Sequence, residues 1–368
     1  MVAPVPQLED LPDPNGRKVL VRTDFNVPLH DGAIADDRRI RAAVPTLTWL
    51  LEHGARVTAC SHLGRPKGQA DPRWSMAPVR ARLGELVPGV ELMENLRFNP
   101  GEEANDPAFV DELVAGQELY VDDAFGAVHR AHASIVGPPT RLPSAGGRLL
   151  TREVEVLGGL LTSPGRPFIA VLGGAKVSDK LGVIRSLMEK VDAVLVGGAM
   201  CFTFLVALGH EVGDSLYEPD QVEACRALLD SGRRLVVPTD VVALSPEGTV
   251  RQVGRTVPDG WKGLDIGPGT AAEFTDEIGA ARTVLWNGPM GVFEDPRFAA
   301  GTATVAEAVA NCRGFTVVGG GDSAAAVDQL GLADRIDFVS TGGGASLELL
   351  EKGDLPGLEA LRRGMTGG

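Results

Sequence analysis

Polar and charged side chains collect in five short segments of the first half of the chain, near the ends of predicted strands. The segments are RTDFNVP, DDRRI, SHLGRP, ENLRF and DAFGAVHRAH. In the first of them Arg22, Asp24 and Asn26 occupy alternate positions at the end of a predicted strand, so they share one face. Open α/β sheets bind ligands at such strand ends. The spacing therefore fits a ligand-binding strand end, and the rest of the chain must decide between this and a simple turn.

The same segments hold a group of basic residues: Arg22, Arg39, His62, Arg65, Arg97, Arg130 and His132. Arginine guanidiniums match carboxylate and phosphate groups, so several of them together predict a pocket for a small, multiply charged anion. A single arginine of this kind is more often one half of a surface ion pair, and His129 or His132 could be satisfied core residues. A second interpretation of the first segment also stays open, in which Asp24 caps a turn and pairs with Arg22.

The second half of the chain offers glycine-rich segments instead of charged ones. They read GGAKVSDK, GGAM, WNGPMG, GGGDS and TGGGAS, and three of them run directly into a predicted helix. Clustered glycines let main-chain amides approach a phosphate, and a helix N-terminus adds partial positive charge. One such segment alone is more often a tight turn, but five in one half predict a site for nucleotide phosphates.

The residues of these glycine-rich segments exclude some classes of nucleotide-binding protein and leave others possible. A Walker-type kinase requires GxxxxGK[ST], and the chain has no Gly-Lys dipeptide. A dinucleotide-dependent oxidoreductase stays possible, because Gly319, Gly321 and Ala324 fit GxGxxA after the apolar run FTVV. The next strand, however, ends in Ser and Thr where an acidic ribose partner is expected. A relative that binds nucleotide or a protein without catalysis is the third class.

Apolar runs, for example FIAVLGG, TVLWNGP and TVVGGG, alternate with amphipathic stretches along the whole chain, which predicts parallel sheets flanked by helices. Ile40, Val44, Leu47 and Leu51 mark one face of a helix from about residue 37 to 53. The segment RLLTREVEVLGGLLTSPGRP predicts a further helix that connects two sheets. We therefore expect domains at residues 1–150 and 151–350, the second beginning with this helix, and a tail at residues 351–368.

Composition excludes several classes of function. The chain has 368 residues, with 35 Lys and Arg against 49 Asp and Glu, so its net charge of -14 disfavours nucleic acid and anionic membranes as partners. No window approaches a membrane span, and the acidic, Pro-broken start differs from a signal peptide, which predicts a cytoplasmic protein. The four cysteines form no CxxC pair, which argues against zinc and against a disulfide framework.

Together the segments resemble those of the phosphoglycerate kinase family, in the family's own order, from about Lys18 to Leu361. RTDFNVP, DDRRIRAAVPT, SHLGRPKG, ENLRF, DAFGAVHRAHAS, GGAKVSDK, LDIGP, VLWNGPMGVFE, VGGGDSAA and STGGGASLE carry the likeness. The resemblance implies two Rossmann-like domains, each a parallel sheet flanked by helices, joined by a hinge helix. It also implies a monomer that transfers a phosphoryl group reversibly between 1,3-bisphosphoglycerate and ADP, giving 3-phosphoglycerate and ATP, with Mg²⁺ bound to the nucleotide.

The resemblance also implies the residues of each half-site. In the first domain it assigns the glycerate to Asp24, Asn26, His62, Arg65, Arg97 and Arg130, with Arg39 reaching the transferring group. In the second it assigns the nucleotide to Lys176, Lys180, Gly263, Asn287, Glu294, Gly320, Gly321, Asp322 and Ser323, with Gly263, Asn287 and Glu294 lining the adenosine site. Asp322 is the implied magnesium ligand, and Gly343 and Gly344 are implied to act with Arg39 and Lys176 on the phosphoryl group in flight. Because water would hydrolyse the substrates, we also expect the domains to close over them.

Several of these residues also have simpler interpretations. Asp322 could cap a helix, Lys176 could pair with Asp179, His62 could orient its loop, and Glu294 could cap a turn. The chain also departs from the family pattern. Asp122 stands where the family usually has Asn, Val206 where Lys is usual, and LEKGDLPG rearranges the usual tail. We expect the tail to pack on the first domain.

Overall fold

The computed structural model describes residues 3–366 and divides the chain into two compact units. Unit 1 combines the chain up to Gly158 with the residues from Lys352 onward, and unit 2 runs from Gly159 to Glu351. The division falls inside a helix, Arg148–Thr162, which lies where the sequence predicts the connecting helix.

Unit 1 is built on a five-stranded sheet of order β5-β4-β1-β6-β7, in which every pairing is parallel. A two-residue antiparallel pair, β2 with β3, lies outside this sheet. The strands are β1 Lys18–Thr23, β2 Leu29–His30, β3 Ala33–Ile34, β4 Arg56–Cys60, β5 Glu91–Leu92, β6 Leu119–Asp123 and β7 Ser144–Gly146. The centre of β1 is fully buried, as expected for a strand covered by helices on both faces.

Unit 2 is built on a six-stranded parallel sheet of order β10-β9-β8-β14-β15-β16. A separate antiparallel sheet has the order β12-β11-β13. The strands are β8 Phe168–Leu172, β9 Ala193–Val196, β10 Leu235–Val236, β11 Val241–Leu244, β12 Val250–Val253, β13 Lys262–Ile266, β14 Thr283–Asn287, β15 Phe315–Gly319 and β16 Phe338–Val339.

The helices alternate with the strands, so the predicted α/β class with parallel, helix-flanked sheets is confirmed. They are α1 Arg38–Glu52, α2 Ala77–Leu86, α3 Gly101–Ala104, α4 Pro107–Val114, α5 Ala133–Val136, α6 Arg148–Thr162, α7 Leu181–Met188, α8 Met200–Ala207, α9 Val222–Leu229, α10 Pro268–Ala280, α11 Ala300–Asn311, α12 Gly321–Gln329, α13 Gly344–Lys352 and α14 Pro356–Thr366. Helix α1 buries Ile40 and Leu47, as its periodicity predicts. Residues 3–366 contain no helix with the length and apolar character of a membrane span.

Each unit has its own apolar core. Val19 and Val21 of β1 pack with Leu47 of α1 in unit 1, while Trp286 of β14 and Phe274 of α10 belong to the core of unit 2. Helix α14 contacts α5 and β7 of unit 1. All four cysteines are unpaired, and three of them are buried. These cores fix the strands whose ends carry the candidate site.

Candidate active site

Three neighbouring strands of unit 1 end at the same edge of its sheet. Strand β1 pairs in parallel with β4 on one side and with β6 on the other. The loops after these strands contain Asp24, His62 and Arg130, which are far apart in sequence. Sheet order therefore gathers the charged segments that the sequence analysis singled out.

Asp24 is the acidic residue at the centre of this edge. It is buried, and its Oδ2 accepts a hydrogen bond from Arg39 Nη1 at the start of α1. Burial alone would raise the pKa of Asp24, but the positive charge of Arg39, aided by Arg22, outweighs it and holds the pKa below its usual value. A Cβ at Gly126 would lie 2.2 Å from Asp24 Oδ2, so the loop after β6 requires glycine there. Asp24 thus stays ionised between Arg39 and this loop.

Arg22 forms no hydrogen bond or ion pair with Asp24 among residues 3–366, so the pairing in the second interpretation of the first segment is wrong. The turn in that interpretation is present, because Asp24 Oδ1 accepts from the Asn26 amide at 3.3 Å. The Arg22 side chain is buried, and Nε donates to Ser134 Oγ at 2.8 Å while Nη2 donates to His62 Nδ1 at 3.1 Å. Arg22 belongs to the predicted basic group but has no predicted role in the site, because its partners come from distant segments. Desolvation, opposed by Asp24, lowers the pKa of His62 well below its usual value, so the ring is neutral at physiological pH.

Asn26 and Arg97 both hold the loop after β4. Asn26 Oδ1 accepts from the Gly64 amide at 2.9 Å. Arg97 Nη1 donates to the Gly64 carbonyl at 2.9 Å, and its Nε lies 3.2 Å from Glu103 Oε1. Burial lowers the pKa of Arg97, and the charges of Arg22 and Arg130 add to that effect, although Glu103 opposes it. Arg65 and Arg130 are exposed. The edge therefore carries concentrated positive charge in an acidic protein.

In unit 2 a cavity of about 270 Å³ lies at the ends of β8, β14, β15 and β16. It brings together nine of the predicted nucleotide and catalytic residues: Lys176, Lys180, Asn287, Gly320, Gly321, Asp322, Ser323, Gly343 and Gly344. Gly320 precedes α12 with a φ of 94° and Gly343 precedes α13 with a φ of 53°, a region that glycine adopts without strain. Main-chain amides at two helix starts thus line the cavity.

Lys180 fills the floor of this cavity. Its Nζ donates to the Gly173 carbonyl at 2.6 Å and to the Asn287 main-chain and side-chain oxygens at 3.1 and 2.6 Å. Burial lowers the pKa of Lys180 to about 8, although Asp322 and Asp179 oppose the shift. The ammonium therefore ties the end of β8 to the end of β14 and keeps its charge beneath the cavity.

Three charged residues of the cavity, Lys176, Asp179 and Asp322, are exposed. Lys176 and Asp322 have no hydrogen bond or ion pair among residues 3–366, so the alternative pairing of Lys176 with Asp179 is absent. Asp322 lies in the first turn of α12, whose N-cap is Gly320 rather than Asp322. Ser323 is buried, and its Oγ accepts from the Gly288 amide at 2.6 Å, so this hydroxyl supports the cavity from below.

A larger cavity of about 660 Å³ adjoins the first and shares Gly174, Ala175, Pro289 and Asp322 with it. Gly263 and Glu294 line this larger cavity, whereas Asn287, which the resemblance groups with them, lines only the smaller one. A Cβ at Gly263 would lie 2.1 Å from the Phe202 ring, which explains the glycine.

Sequence reasoning missed the apolar lining of this larger cavity, which includes Phe202, Leu216, Tyr217, Met290 and Val292. Leu216, Tyr217 and Val292 are exposed. An isolated apolar residue in a loop carries no sequence signal that separates a ligand contact from core packing. The dimensions and apolar walls of the larger cavity suit a flat heterocyclic ring.

Comparison with known proteins decides the family. The family model described as "Phosphoglycerate kinase" matches residues 8–92 and 88–353, which together span most of the chain. The chain belongs to the phosphoglycerate kinase family. The phosphoglycerate kinase of Salinispora arenicola is 55% identical over 94% of this chain and 96% of its own. That of Roseiflexus castenholzii is 51% identical over 95% of this chain and 97% of its own.

Solved phosphoglycerate kinases have the same fold. The structure from Coxiella burnetii superposes with a TM-score of 0.88 at 36% identity and covers 98% of this chain and 99% of its own. The structure from Pyrococcus horikoshii superposes with a TM-score of 0.86 at 30% identity and covers 98% of this chain and 100% of its own. The chain is therefore a phosphotransferase with a carboxyl acceptor, the glycolytic kinase that links 1,3-bisphosphoglycerate and ADP with 3-phosphoglycerate and ATP. This membership removes the oxidoreductase alternative.

Proposed function

We propose that unit 1 binds the glycerate substrate, that unit 2 binds the magnesium-nucleotide, and that the phosphoryl group passes directly between them. The observation that carries this proposal is the contrast between the two candidate half-sites. Unit 1 presents guanidinium groups around Asp24, whereas unit 2 presents glycine amides, two lysines and the exposed carboxylates of Asp179 and Asp322. The first set suits a small polyanion, and the second suits a polyphosphate with its metal.

In unit 1, the proposed substrate contacts follow from which side-chain groups are exposed or keep unused hydrogen-bond donors. Arg65 and Arg130 are exposed, and together with Arg97 and His62 they bind the 3-phosphate. Asp24 and Asn26 contact the hydroxyl and carboxyl end of the glycerate. Arg39 retains 33% exposure of its side chain, and its free N–H donors reach the transferring phosphoryl group.

On the nucleotide side, the larger cavity takes the adenosine, with Gly263 and Glu294 in its wall. The amides of Gly320, Gly321 and Ser323 and the charge of Lys180 bind the phosphates, while Asn287 holds Lys180 in place. Lys176 and the amides of Gly343 and Gly344 face the migrating phosphoryl group. This arrangement concentrates donors where charge develops in the transition state.

The residues present fit a magnesium ion held jointly with the substrate. Asp322 is an exposed carboxylate with no hydrogen bond or ion pair in the part of the chain described, and it lines both cavities. No group of three or more acidic, His or Cys residues among residues 3–366 could hold a metal alone. Mg²⁺ commonly binds through one or two carboxylates plus substrate phosphates. When bound, the ion supplies charge neutralisation on the nucleotide phosphates, and Asp322 would hold it.

The reaction needs no general base. A carboxylate and a terminal ADP oxygen are already ionised near neutral pH, so each can attack phosphorus directly. Catalysis then depends on in-line placement, on cations around the transferred group, and on exclusion of water. We accordingly propose that hinge bending brings the half-sites together for each turnover. A single chain carries both half-sites, which supports a monomer, and the glycolytic family supports a cytoplasmic location.

The direct test is a coupled assay with Mg-ATP and 3-phosphoglycerate, in which glyceraldehyde-3-phosphate dehydrogenase and NADH report 1,3-bisphosphoglycerate. Turnover should require both substrates and magnesium. Isotope exchange between ADP and ATP should also require 3-phosphoglycerate, because direct transfer leaves no phosphoryl group on the enzyme. Exchange without 3-phosphoglycerate would contradict direct transfer, and silence in the assay from folded, nucleotide-binding protein would contradict the half-site roles.

A further inference from the structure

Glu102 is a buried carboxylate beneath the glycerate half-site. Its side chain is fully buried in α3, where Oε2 accepts from the Ser134 amide at 2.9 Å and Oε1 from Ser134 Oγ at 2.6 Å. Two basic groups lie just beyond hydrogen-bond distance, Arg22 Nη2 at 4.0 Å and His132 Nδ1 at 3.9 Å. Burial lowers the pKa of His132 to about 4, so Arg22 supplies the balancing charge at neutral pH.

Ser134 links the Glu102 carboxylate to Arg22 through two hydrogen bonds whose donors and acceptors are fixed. Its hydroxyl proton points to Glu102, so the same oxygen accepts from Arg22 Nε at 2.8 Å. The Ser134 main-chain oxygen accepts from the Tyr120 hydroxyl at 2.7 Å, which ties the residue to β6. The orientation of the Arg22 guanidinium is thus set from outside the ligand site.

Arg22 in turn determines which nitrogen of His62 carries a proton. A guanidinium can only donate, so the contact of 3.1 Å between Arg22 Nη2 and His62 Nδ1 makes Nδ1 the acceptor. The neutral ring must then carry its proton on Nε2. The charged groups around His62 are Asp24, Arg22, Arg97 and Arg39, and burial with the three arginines outweighs Asp24 in lowering its pKa.

We propose that Glu102 is a positioning residue for the glycerate half-site, which acts through Ser134 and Arg22 to hold His62 as a neutral Nε2–H donor. The inference deepens the proposed function and rests on it. His62 then gives the substrate phosphate one directed hydrogen bond, while the neighbouring arginines supply the positive charge. The affinity of this site for the phosphate dianion consequently does not depend on protonation of His62 across the neutral range.

The kinetic test compares Glu102→Gln with Glu112→Gln, a matched change at an exposed residue of the neighbouring α4. Glu102→Gln keeps the shape but removes the charge and one acceptor. It should raise KM for 3-phosphoglycerate about tenfold and leave KM for Mg-ATP within about twofold. Ser134→Ala, which cuts the link but keeps Glu102, should raise the same KM in the same direction. Glu112→Gln should match the wild type in both.

The second readout is the tautomer of His62, which a merely structural role for Glu102 would not change. The chain has six histidines, so long-range ¹H–¹⁵N spectra of labelled protein are tractable, with His62 assigned from a His62→Asn variant. Without substrate, the wild type should show Nδ1 unprotonated and Nε2 protonated near pH 7. Glu102→Gln and Ser134→Ala should both shift this pattern toward a mixture of tautomers.

Each outcome bears on one proposal only. A wild-type His62 that is cationic or protonated on Nδ1 overturns the positioning role, as do unchanged spectra and KM in both variants. If Glu102→Gln fails to fold, the wild-type tautomer and Ser134→Ala still decide the question. Failure of the wild type to bind 3-phosphoglycerate, with the expected tautomer present, overturns the proposed half-site rather than the hydrogen-bond chain.

Discussion

Two arginines at the edge of the unit 1 sheet differ in the N–H donors that they leave available for a ligand. Arg22 is 1% exposed and engaged by Ser134, Thr23 and His62. The Arg39 side chain is 33% exposed and donates a hydrogen bond from Nη1 to Asp24. A guanidinium has several donors, so Arg39 can serve Asp24 and a ligand together. Arg39 rather than Arg22 is therefore the expected contact of the transferring group.

Replacing Arg39 by Ala should separate turnover from nucleotide binding. We expect kcat to fall by at least about a hundredfold, because a cation aimed at the transferred group is lost. ADP affinity, measured by calorimetry, should stay within about twofold, since Arg39 belongs to unit 1. Arg41→Ala, which removes an exposed arginine of the same helix, is the control. An equally steep loss of ADP affinity would argue against assigning the two ligands to different units.

Asp322 allows a second test at single-residue scale. Asp322→Asn should weaken binding of Mg-ADP by about tenfold or more, because an uncharged amide is a poorer magnesium ligand. Metal-free ADP should bind no worse than to the wild type, since a negative charge near its phosphates is removed. Asp334→Asn supplies an exposed control outside the cavities. Equal weakening of ADP with and without magnesium would mean that Asp322 does not hold the metal.

At the scale of elements, the packing of β13 against α8 shapes the larger cavity. Gly263 lies on β13, and the Phe202 ring of α8 occupies the space where a side chain would begin. Its amide donates to Ser215 Oγ at 2.8 Å, which fixes the strand. The missing side chain is thus a steric requirement of the helix rather than a need for an unusual backbone angle.

Gly263→Ala should therefore destabilise the protein and weaken nucleotide binding together. We expect a loss of about 1 to 3 kcal/mol in the free energy of unfolding, typical of an overpacked site. Adding Phe202→Leu should recover part of this stability by making room, whereas Phe202→Leu alone leaves a void. Urea unfolding and ADP calorimetry on the three variants test this. Additive losses in the double variant would show that the two residues do not compete for space.

The sequence predicted the elements well for a physical reason. Buried parallel strands appear as short apolar runs, so FIAVLGG, TVLWNGP and TVVGGG identified β8, β14 and β15 together with the loops that follow them. The likeness in motif order then supplied most of the candidate residues. The helix α1 followed from apolar spacing alone, and it begins and ends within about one residue of the expected limits.

Partners across the sheet could not be predicted in the same way. Lys180 and Asn287 are 107 residues apart, and they meet only because β8 and β14 are neighbours, an order that βα alternation does not specify. The same holds for Ser323 with Gly288 and for Arg22 with Ser134. Whether a polar side chain faces a ligand or supports a loop depends on such contacts. That is why Asn287 is found with Lys180 and not in the larger cavity.

For the whole molecule, buried carboxylates make stability depend on pH. Asp122, Asp123 and Asp265 are buried, and burial raises the pKa of each to about 7. A raised pKa means that the folded state holds protons which the unfolded chain has already released. The contribution of these three carboxyl groups to the free energy of unfolding is therefore most favourable below about pH 4. It is lost progressively as the pH rises to about 7, because the buried groups must then ionise. These acids therefore favour folding under mildly acidic conditions.

Asp122→Asn should remove one such contribution. Asp122 Oδ1 accepts from the Ala124 amide at 2.9 Å, while Oδ2 is buried without a hydrogen bond. At about pH 8 the free energy of unfolding of Asp122→Asn, measured with urea, should exceed that of the wild type by on the order of a few kcal/mol. At about pH 4 the two proteins should have nearly the same free energy of unfolding. Asp31→Asn, at a fully exposed site in the same unit, is the control. A difference that does not change with pH would contradict burial as the cause.

The chain passes from unit 1 to unit 2 between Gly158 and Gly159, inside α6. Each glycine in a helix interior costs about 1 kcal/mol relative to alanine, and a Cβ at Gly159 would meet nothing within 4 Å. The surrounding space therefore does not require glycine at position 159. The two glycines make the helix open more easily at this step than in the turns on either side. Backbone amides at this step should exchange with deuterated solvent sooner than those a full turn to either side, so that isotope labelling would find the junction between the units without any ligand.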